Sequence, residues 1–181
     1  MKMRFFLTAM LTTCFVASVI AQLPKPYSIL DNFIPSGYMG DTKNIRLVKN
    51  YSDNSRPDSP CTKITYQPGS EGWAGVSWQF PANNWCTKKG KDFSGVGYTS
   101  VTFWVRGENG GEEIKFKSGQ DCGDTYSTDE VTKILGKSWT KVTIDLKGLN
   151  LSNVTGAFIW VADGKASPGT ITFYVDDVQY E

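Results

Sequence analysis

Apolar and polar residues alternate along most of the chain, which is the pattern of half-buried β-strands. In the clearest segment, 99–108, valine and phenylalanine alternate with Thr102, Trp104 and Arg106. Short alternating segments separated by Gly, Pro, Asn and Ser turns, without an amphipathic helix, predict an all-β fold, an antiparallel β-sandwich of two packed sheets. The predicted strand segments are 29–33, 44–48, 61–67, 75–80, 99–108, 113–117, 139–146, 156–162 and 170–180.

The sequence Asn109-Gly110-Gly111 separates two of these segments and is typical of a tight β-hairpin turn. A hairpin pairs the two strands that it joins. It would therefore place Lys115 and Lys117 on the same face as Trp104 and Arg106.

The first 21 residues have the form of a secretory signal peptide. Lys2 and Arg4 precede an apolar run over 5–20, and the small residue Ala21 follows. We predict cleavage after Ala21, which leaves 22–181 as a single domain outside the cell. In the remaining sequence no run is long and apolar enough to span a bilayer.

Charge and composition exclude several classes of function. Lys2 and Arg4 are among the 19 basic residues, so the mature domain keeps 17 against 18 acidic residues. This balance argues against nucleic acid or anionic lipid as partner. The absence of histidine removes the commonest general base. Asp121 and Asp124 are interpreted as a solvated acidic loop, so binding is favoured over catalysis.

Three cysteines remain after cleavage, Cys61, Cys86 and Cys122. Export to an oxidising compartment favours one disulfide. Cys61–Cys86 is the preferred pair and Cys86–Cys122 is the alternative. The spacing alone does not choose between them.

The segment 72–108 holds four of the six tryptophans. Aromatic rings stack on the C–H face of a sugar, and charged or amide side chains bind its hydroxyl groups. Trp104 is the best platform, with Arg106 and Glu108 on the same face. Alternatively, Arg106 stacks on Trp104 in a purely structural role. Strand parity and position predict three core tryptophans, Trp78, Trp139 and Trp160.

Two further tryptophans, Trp73 and Trp85, lie in turn-rich segments whose periodicity does not enforce burial. Each is a candidate ligand-binding residue or a lid on the end of the sandwich. Asn84 is a candidate for binding sugar hydroxyls, although asparagine is also a common turn residue. Lys115 and Lys117 suit an anionic sugar, but lysines on an exposed strand face are also ordinary.

Several segments carry a family resemblance. They are LDNF at 30–33, FWVRGE at 103–108, KVTIDLKGL at 141–149 and FYVDDVQYE at 173–181. With the tryptophan-rich centre, this ordered series resembles the jelly-roll carbohydrate-binding modules of the galactose-binding-like superfamily. The resemblance covers nearly all of the chain from residue 29 onward.

The resemblance implies a secreted jelly-roll sandwich that binds a polysaccharide or oligosaccharide without cleaving it. It also implies a structural calcium ion near the first and last strands, with Asp31, Asp176 and Asp177 as ligands. Asn32 stands where a second acidic residue is frequent, which lowers the charge of that site. The alternatives are a jelly-roll polysaccharide lyase or glycosidase, and a structural or adhesive protein of an extracellular assembly.

Overall fold

A computed structural model describes residues 23–57, 59–121 and 124–181. The predicted signal peptide lies outside these residues. The strands are β1 (Tyr27–Ser28), β2 (Ile34–Gly40), β3 (Ile45–Arg56), β4 (Ser59–Tyr66), β5 (Trp73–Gln79), β6 (Ser100–Gly107), β7 (Glu113–Lys117), β8 (Val131–Ile134), β9 (Thr140–Asp145), β10 (Gly156–Asp163) and β11 (Ile171–Tyr180). A one-turn helix α1 (Ile29–Asn32) and a 3₁₀ turn (Thr42–Asn44) complete the described elements.

The strands form two antiparallel sheets. The first sheet has the order β3-β4-β11-β6-β9, with β1 paired to β11. The second sheet has the order β2-β5-β10-β7-β8. The predicted antiparallel β-sandwich of two packed sheets is therefore confirmed.

The core lies between the two sheets and is rich in aromatic rings. Trp78 and Trp160 are fully buried there, as strand parity predicts. Trp160 meets Phe173 of the opposite sheet with ring centroids 5.3 Å apart. The prediction for Trp139 is wrong, because this partly exposed ring contacts Tyr174 on the outer side of the first sheet.

The predicted hairpin after β6 is also wrong. Strand β6 pairs with β11 and β9 in the first sheet, whereas β7 pairs with β10 and β8 in the second. Gly110 and Gly111 have positive φ angles of 80° and 97°. Glycine adopts such angles readily, so they suit a turn, but they do not decide which sheet the next strand joins. The chain crosses between the sheets, and Phe103 and Phe116 then meet across the core with ring centroids 4.8 Å apart.

Helix α1 replaces the first predicted strand. Ser28 Oγ accepts a hydrogen bond from Asp31 N at 3.3 Å, and Asn32 Nδ2 donates to Ser28 O at 2.8 Å. These local bonds cap a single helical turn in place of strand pairing. Residues interpreted as turns form much of β2, and β3 extends into the loop predicted after residue 50. Among the described residues, no helix is long and apolar enough to cross a membrane.

Candidate functional site

The middle of β5 presents small residues on the outer face of the second sheet. Strand alternation turns Trp73, Gly75 and Ser77 of β5 outward, because the residues between them point into the core. On the neighbouring strand β10, Ile159 lies opposite Ser77 and Val161 lies opposite Gly75. Small side chains therefore leave a shallow depression along the middle of this face, and the ring of Trp73 stands at one end of β5.

A cavity of 380 Å³ opens on this face, and we refer to it as the groove. Its volume is in the range of small-ligand sites. Its apolar lining consists of Met39, Trp85, Ile159 and Val161. Its polar lining includes Ser77, Lys117, Gln120, Asp121 and Glu130.

The absence of a side chain at Gly75 keeps the face beside the groove low. A Cβ on Gly75 would lie 2.7 Å from the carbonyl oxygen of Trp160 and 3.2 Å from Met39 Cε. It would also lie 3.1 Å from Val161 Cγ2. These contacts leave no room for a larger residue, so the sheet stays open between two exposed tryptophans.

Those tryptophans are Trp73 and Trp85, which are 38% and 45% exposed. Trp85 lines the groove together with Ser77. Ser77 lies four residues after Trp73 in β5. Four residues of extended strand span about 13 Å. The strand from Trp73 to the Ser77 end of the groove is thus longer than one sugar ring, and rings left open to solvent mark interaction sites.

The loop that carries Trp85 is held by its own asparagine. Asn84 is 1% exposed, and its Nδ2 donates to the carbonyl oxygens of Phe80 and Lys88, both at 2.9 Å. Its Oδ1 accepts from Thr87 N at 3.1 Å and Lys88 N at 3.0 Å. Asn84 therefore shapes the loop and does not present its amide to a ligand, in contrast to the prediction.

Ion pairs line one side of the groove. Lys117 Nζ lies 2.9 Å from Asp121 Oδ2, and Lys115 Nζ lies 3.2 Å from Glu130 Oε2. The two lysines are predicted binding residues, but the crossing after β6 places them on the opposite outer face from Trp104. Each is balanced by a carboxylate, so this side of the groove carries no excess positive charge.

Asp124 anchors the loop that follows the groove. Its carboxylate accepts hydrogen bonds from the backbone N–H groups of Gln120 at 2.8 Å and Gly156 at 3.0 Å, and from the backbone N–H and hydroxyl of Thr155. A carboxylate with this many donors is held in place. Asp124 therefore does not belong to the solvated acidic loop expected from the sequence.

Asp41 organises the turn that leads into Trp73. Its carboxylate accepts hydrogen bonds from Tyr66 Oη at 2.7 Å and from the backbone N–H groups of residues 69, 71 and 72. Asp41 N also donates to the carbonyl oxygen of Trp73 at 2.9 Å. Burial alone raises the pKa of Asp41, but the donors outweigh it and hold the pKa below its usual value.

We expect this carboxylate to contribute to acid sensitivity. Its pKa is depressed in the folded state, so its stabilisation is complete above about pH 4 and is lost as the pH falls further. Denaturant midpoints measured from about pH 6 to about pH 2 should fall more steeply for the wild type than for Asp41→Asn. Parallel profiles for the two proteins would show that Asp41 makes no such contribution.

The outer face of the first sheet holds the other predicted site. Trp104 and Arg106 do lie on one face, as parity predicts, but both are engaged within the protein. The guanidinium carbon of Arg56 lies 4.5 Å from the Trp104 ring centroid, and that of Arg106 lies 4.6 Å from the Tyr174 ring centroid. Cations over these rings compete with a sugar for the same ring faces.

Glu108 belongs to the same cluster on the first sheet. Its Oε2 accepts a hydrogen bond from Tyr174 Oη at 2.5 Å and lies 3.4 Å from Arg106 Nη2. Arg106 Nη1 also donates to the carbonyl oxygen of Lys137 at 3.2 Å. The sequence left open a purely structural role, in which Arg106 stacks on Trp104. The structure shows stacking of this kind with different partners: Arg106 covers Tyr174, and Arg56 covers Trp104.

The three predicted calcium ligands line one cavity of 250 Å³. However, Arg56 Nη1 lies 2.5 Å from Asp177 Oδ2 and 3.4 Å from Asp176 Oδ2. Burial and the charge of Asp177 raise the pKa of Asp176, and the guanidinium occupies the position of a counter-cation. Asp31 is the third predicted ligand. Within the described residues, however, no group of three or more Asp, Glu, Cys or His side chains is arranged to hold a metal ion. In this arrangement Arg56 pairs with two of the three acids that a calcium ion would need, and the structural calcium ion stays a prediction.

The preferred disulfide is wrong. Cys61 is a free, buried thiol whose Sγ donates to the carbonyl oxygen of Tyr51 at 3.4 Å. Burial raises the pKa of the Cys61 thiol to about 11, and the nearby Asp176 carboxylate adds to this. The alternative pair with Cys86 involves Cys122, which lies outside the described residues, so that pairing stays a prediction.

The fold and the groove define a class of protein. A two-sheet antiparallel sandwich with exposed tryptophans and polar side chains on one sheet face has the architecture of a jelly-roll carbohydrate-binding module. The family model described as carbohydrate binding domain 30 matches residues 29–181. The chain belongs to this family. No curated protein sequence matches it significantly.

Solved structures agree with this assignment at the level of the fold. A family 30 carbohydrate-binding module from a cellulosomal cellulase of Clostridium thermocellum is 14% identical, with a TM-score of 0.57 over 88% of this chain and 94% of that chain. Another family 30 module is 15% identical, with a TM-score of 0.54 over 86% and 98%. A Clostridium thermocellum family 11 module, solved with a β-1,3-1,4-mixed-linked tetrasaccharide, is 13% identical, with a TM-score of 0.54 over 86% and 94%.

Proposed function

We propose that this protein is a secreted, non-catalytic carbohydrate-binding protein that docks a polysaccharide in the groove of the second sheet. The observation that carries the proposal is the pair of exposed tryptophans on this side of the second sheet, Trp85 in the groove and Trp73 farther along β5. Aromatic platforms and neighbouring polar side chains are what a sugar chain requires. Family membership supports the same ligand class.

The groove is favoured over the face that carries Trp104 because of what covers each aromatic ring. Arg56 stacks on Trp104, whereas Trp85 is 45% exposed beside an open cavity. A sugar that binds Trp85 displaces solvent. A sugar that binds the covered face of Trp104 must first displace a guanidinium that is also paired with Asp177.

The charges around the groove support a neutral polysaccharide and a binding role. Lys117 and Lys115 are each paired with a carboxylate, so neither is left free to bind an anionic sugar. Those pairs also engage Asp121 and Glu130, which lowers their availability as a general acid or base. Docking without cleavage is therefore favoured over a lyase or glycosidase.

Affinity electrophoresis through gels that contain a polysaccharide tests this function. The first probe is β-1,3-1,4-mixed-linked glucan, because a protein of similar fold was solved with an oligosaccharide of that linkage. Other neutral polysaccharides and one anionic polysaccharide complete the panel. We expect retention by at least one neutral polymer, with no reducing sugar or unsaturated product released. Release of product would make the protein an enzyme, and migration unchanged in every gel would contradict polysaccharide binding.

A further inference from the structure

Ser77 is a buried polar group without a partner at the floor of the groove. It is 1% exposed, and its Oγ has no hydrogen-bond partner within the described part of the chain. Strand parity turns its side chain outward, and Ser77 lines the 380 Å³ cavity beside Trp85. Unpartnered buried hydroxyl groups are uncommon in folded proteins and call for an explanation.

The other buried polar residue of the groove is fully engaged. Gln120 Nε2 donates to Thr155 Oγ1 at 2.8 Å and to the carbonyl oxygen of Asn84 at 3.2 Å. Gln120 Oε1 accepts from Gln79 Nε2 at 2.9 Å. Of the residues that line this cavity, Ser77 is the one with a buried polar atom left without a partner.

Two glycines enclose Ser77 on the protein side. A Cβ built on Gly156 would lie 2.9 Å from Ser77 Oγ, and one built on Gly37 would lie 2.9 Å from Ser77 Cβ. The side chains of Gln120 and Gln79 pack beside the same two glycines, and these glutamines are hydrogen-bonded to each other rather than to Ser77. The side of Ser77 that remains is the one that lines the groove.

We propose that Ser77 is a specificity-determining residue, whose hydroxyl forms a hydrogen bond with one hydroxyl group of a bound neutral sugar. This inference rests on the proposed function of the groove. Because Ser77 Oγ is closed to solvent, a sugar hydroxyl reaches it only by entering the cavity and shifting the Gln120 side chain beside it, which a polymer lying across the rim does not do. The residue thus selects sugar units that carry a hydroxyl group at the inserted position.

Ser77→Ala separates binding from stability. The serine hydroxyl has no protein partner to lose, so we expect the melting temperature to stay the same or to rise. The affinity for an oligosaccharide of the retained polysaccharide should fall about tenfold. The matched control is Ser59→Ala in the first sheet, which loses the bond from Ser59 Oγ to Asp176 Oδ1 at 3.2 Å and should keep the affinity unchanged.

Monodeoxy analogues of the same oligosaccharide identify the contact by calorimetry. The wild type should bind one analogue about tenfold more weakly than the parent, and Ser77→Ala should bind that analogue and the parent equally. Equal affinity of wild type and Ser77→Ala for the parent would overturn the role of Ser77 alone. A wild type that binds no polysaccharide would overturn the proposed function, and the inference with it.

Discussion

Replacing Trp85 with alanine is expected to weaken polysaccharide binding at least about thirtyfold, which corresponds to about 2 kcal/mol. The ring is 45% exposed and lines the groove, so a bound sugar has direct access to it. The same exposure means that the free energy of unfolding should change by less than about 0.5 kcal/mol. Calorimetry with the retained oligosaccharide and thermal unfolding measure the two effects separately.

Trp104→Ala is the matched control for this experiment. It removes a tryptophan from the outer face of the first sheet, where the Arg56 guanidinium covers the ring at 4.5 Å. We expect it to keep the affinity and to lower stability modestly. If Trp104→Ala abolished binding and Trp85→Ala did not, the ligand would bind the first sheet and the groove would lose its assignment.

Trp73→Ala should also weaken binding. The effect should be strongest for longer oligosaccharides that reach both Trp73 and Trp85.

Replacing Phe116 with alanine should lower the free energy of unfolding by about 3–5 kcal/mol. Phe116 is fully buried, and its ring packs 4.8 Å from that of Phe103 and 5.8 Å from that of Phe158, measured between centroids. The first contact bridges the two sheets, so alanine would leave a cavity between them. Urea denaturation followed by tryptophan fluorescence measures the loss.

Lys115→Ala on the same strand is the control for Phe116. Its side chain points outward and pairs with Glu130 at 3.2 Å, an exposed contact that contributes at most about 1 kcal/mol. A loss of less than about 1 kcal/mol for Phe116→Ala would contradict the packing of this ring between the two sheets. A large loss for both variants would also contradict the assigned faces of β7.

The candidate site was only partly predictable from the sequence. Trp73 and Trp85 are recognisable because they lie in turn-rich segments where periodicity does not bury them, and the structure leaves both exposed. The outward parity of Ser77 is visible beside the core residue Trp78. Met39, however, lies in a segment that reads as turns, and Gln120 adjoins an acidic loop. Their approach to the groove depends on pairing between distant strands.

By itself, the sequence determined the fold class and the inward face of most strands, because alternation at a period of two is a local property that burial enforces. Only the tertiary structure decided which strands share a sheet. The turn at residues 109–111 fits a hairpin and a crossing equally well at the level of backbone angles. With the crossing, Phe103 and Phe116 pack on each other from opposite sheets, a contact across the core that a hairpin within one sheet would not make. That choice separated Lys115 from Trp104 and placed the groove on the second sheet.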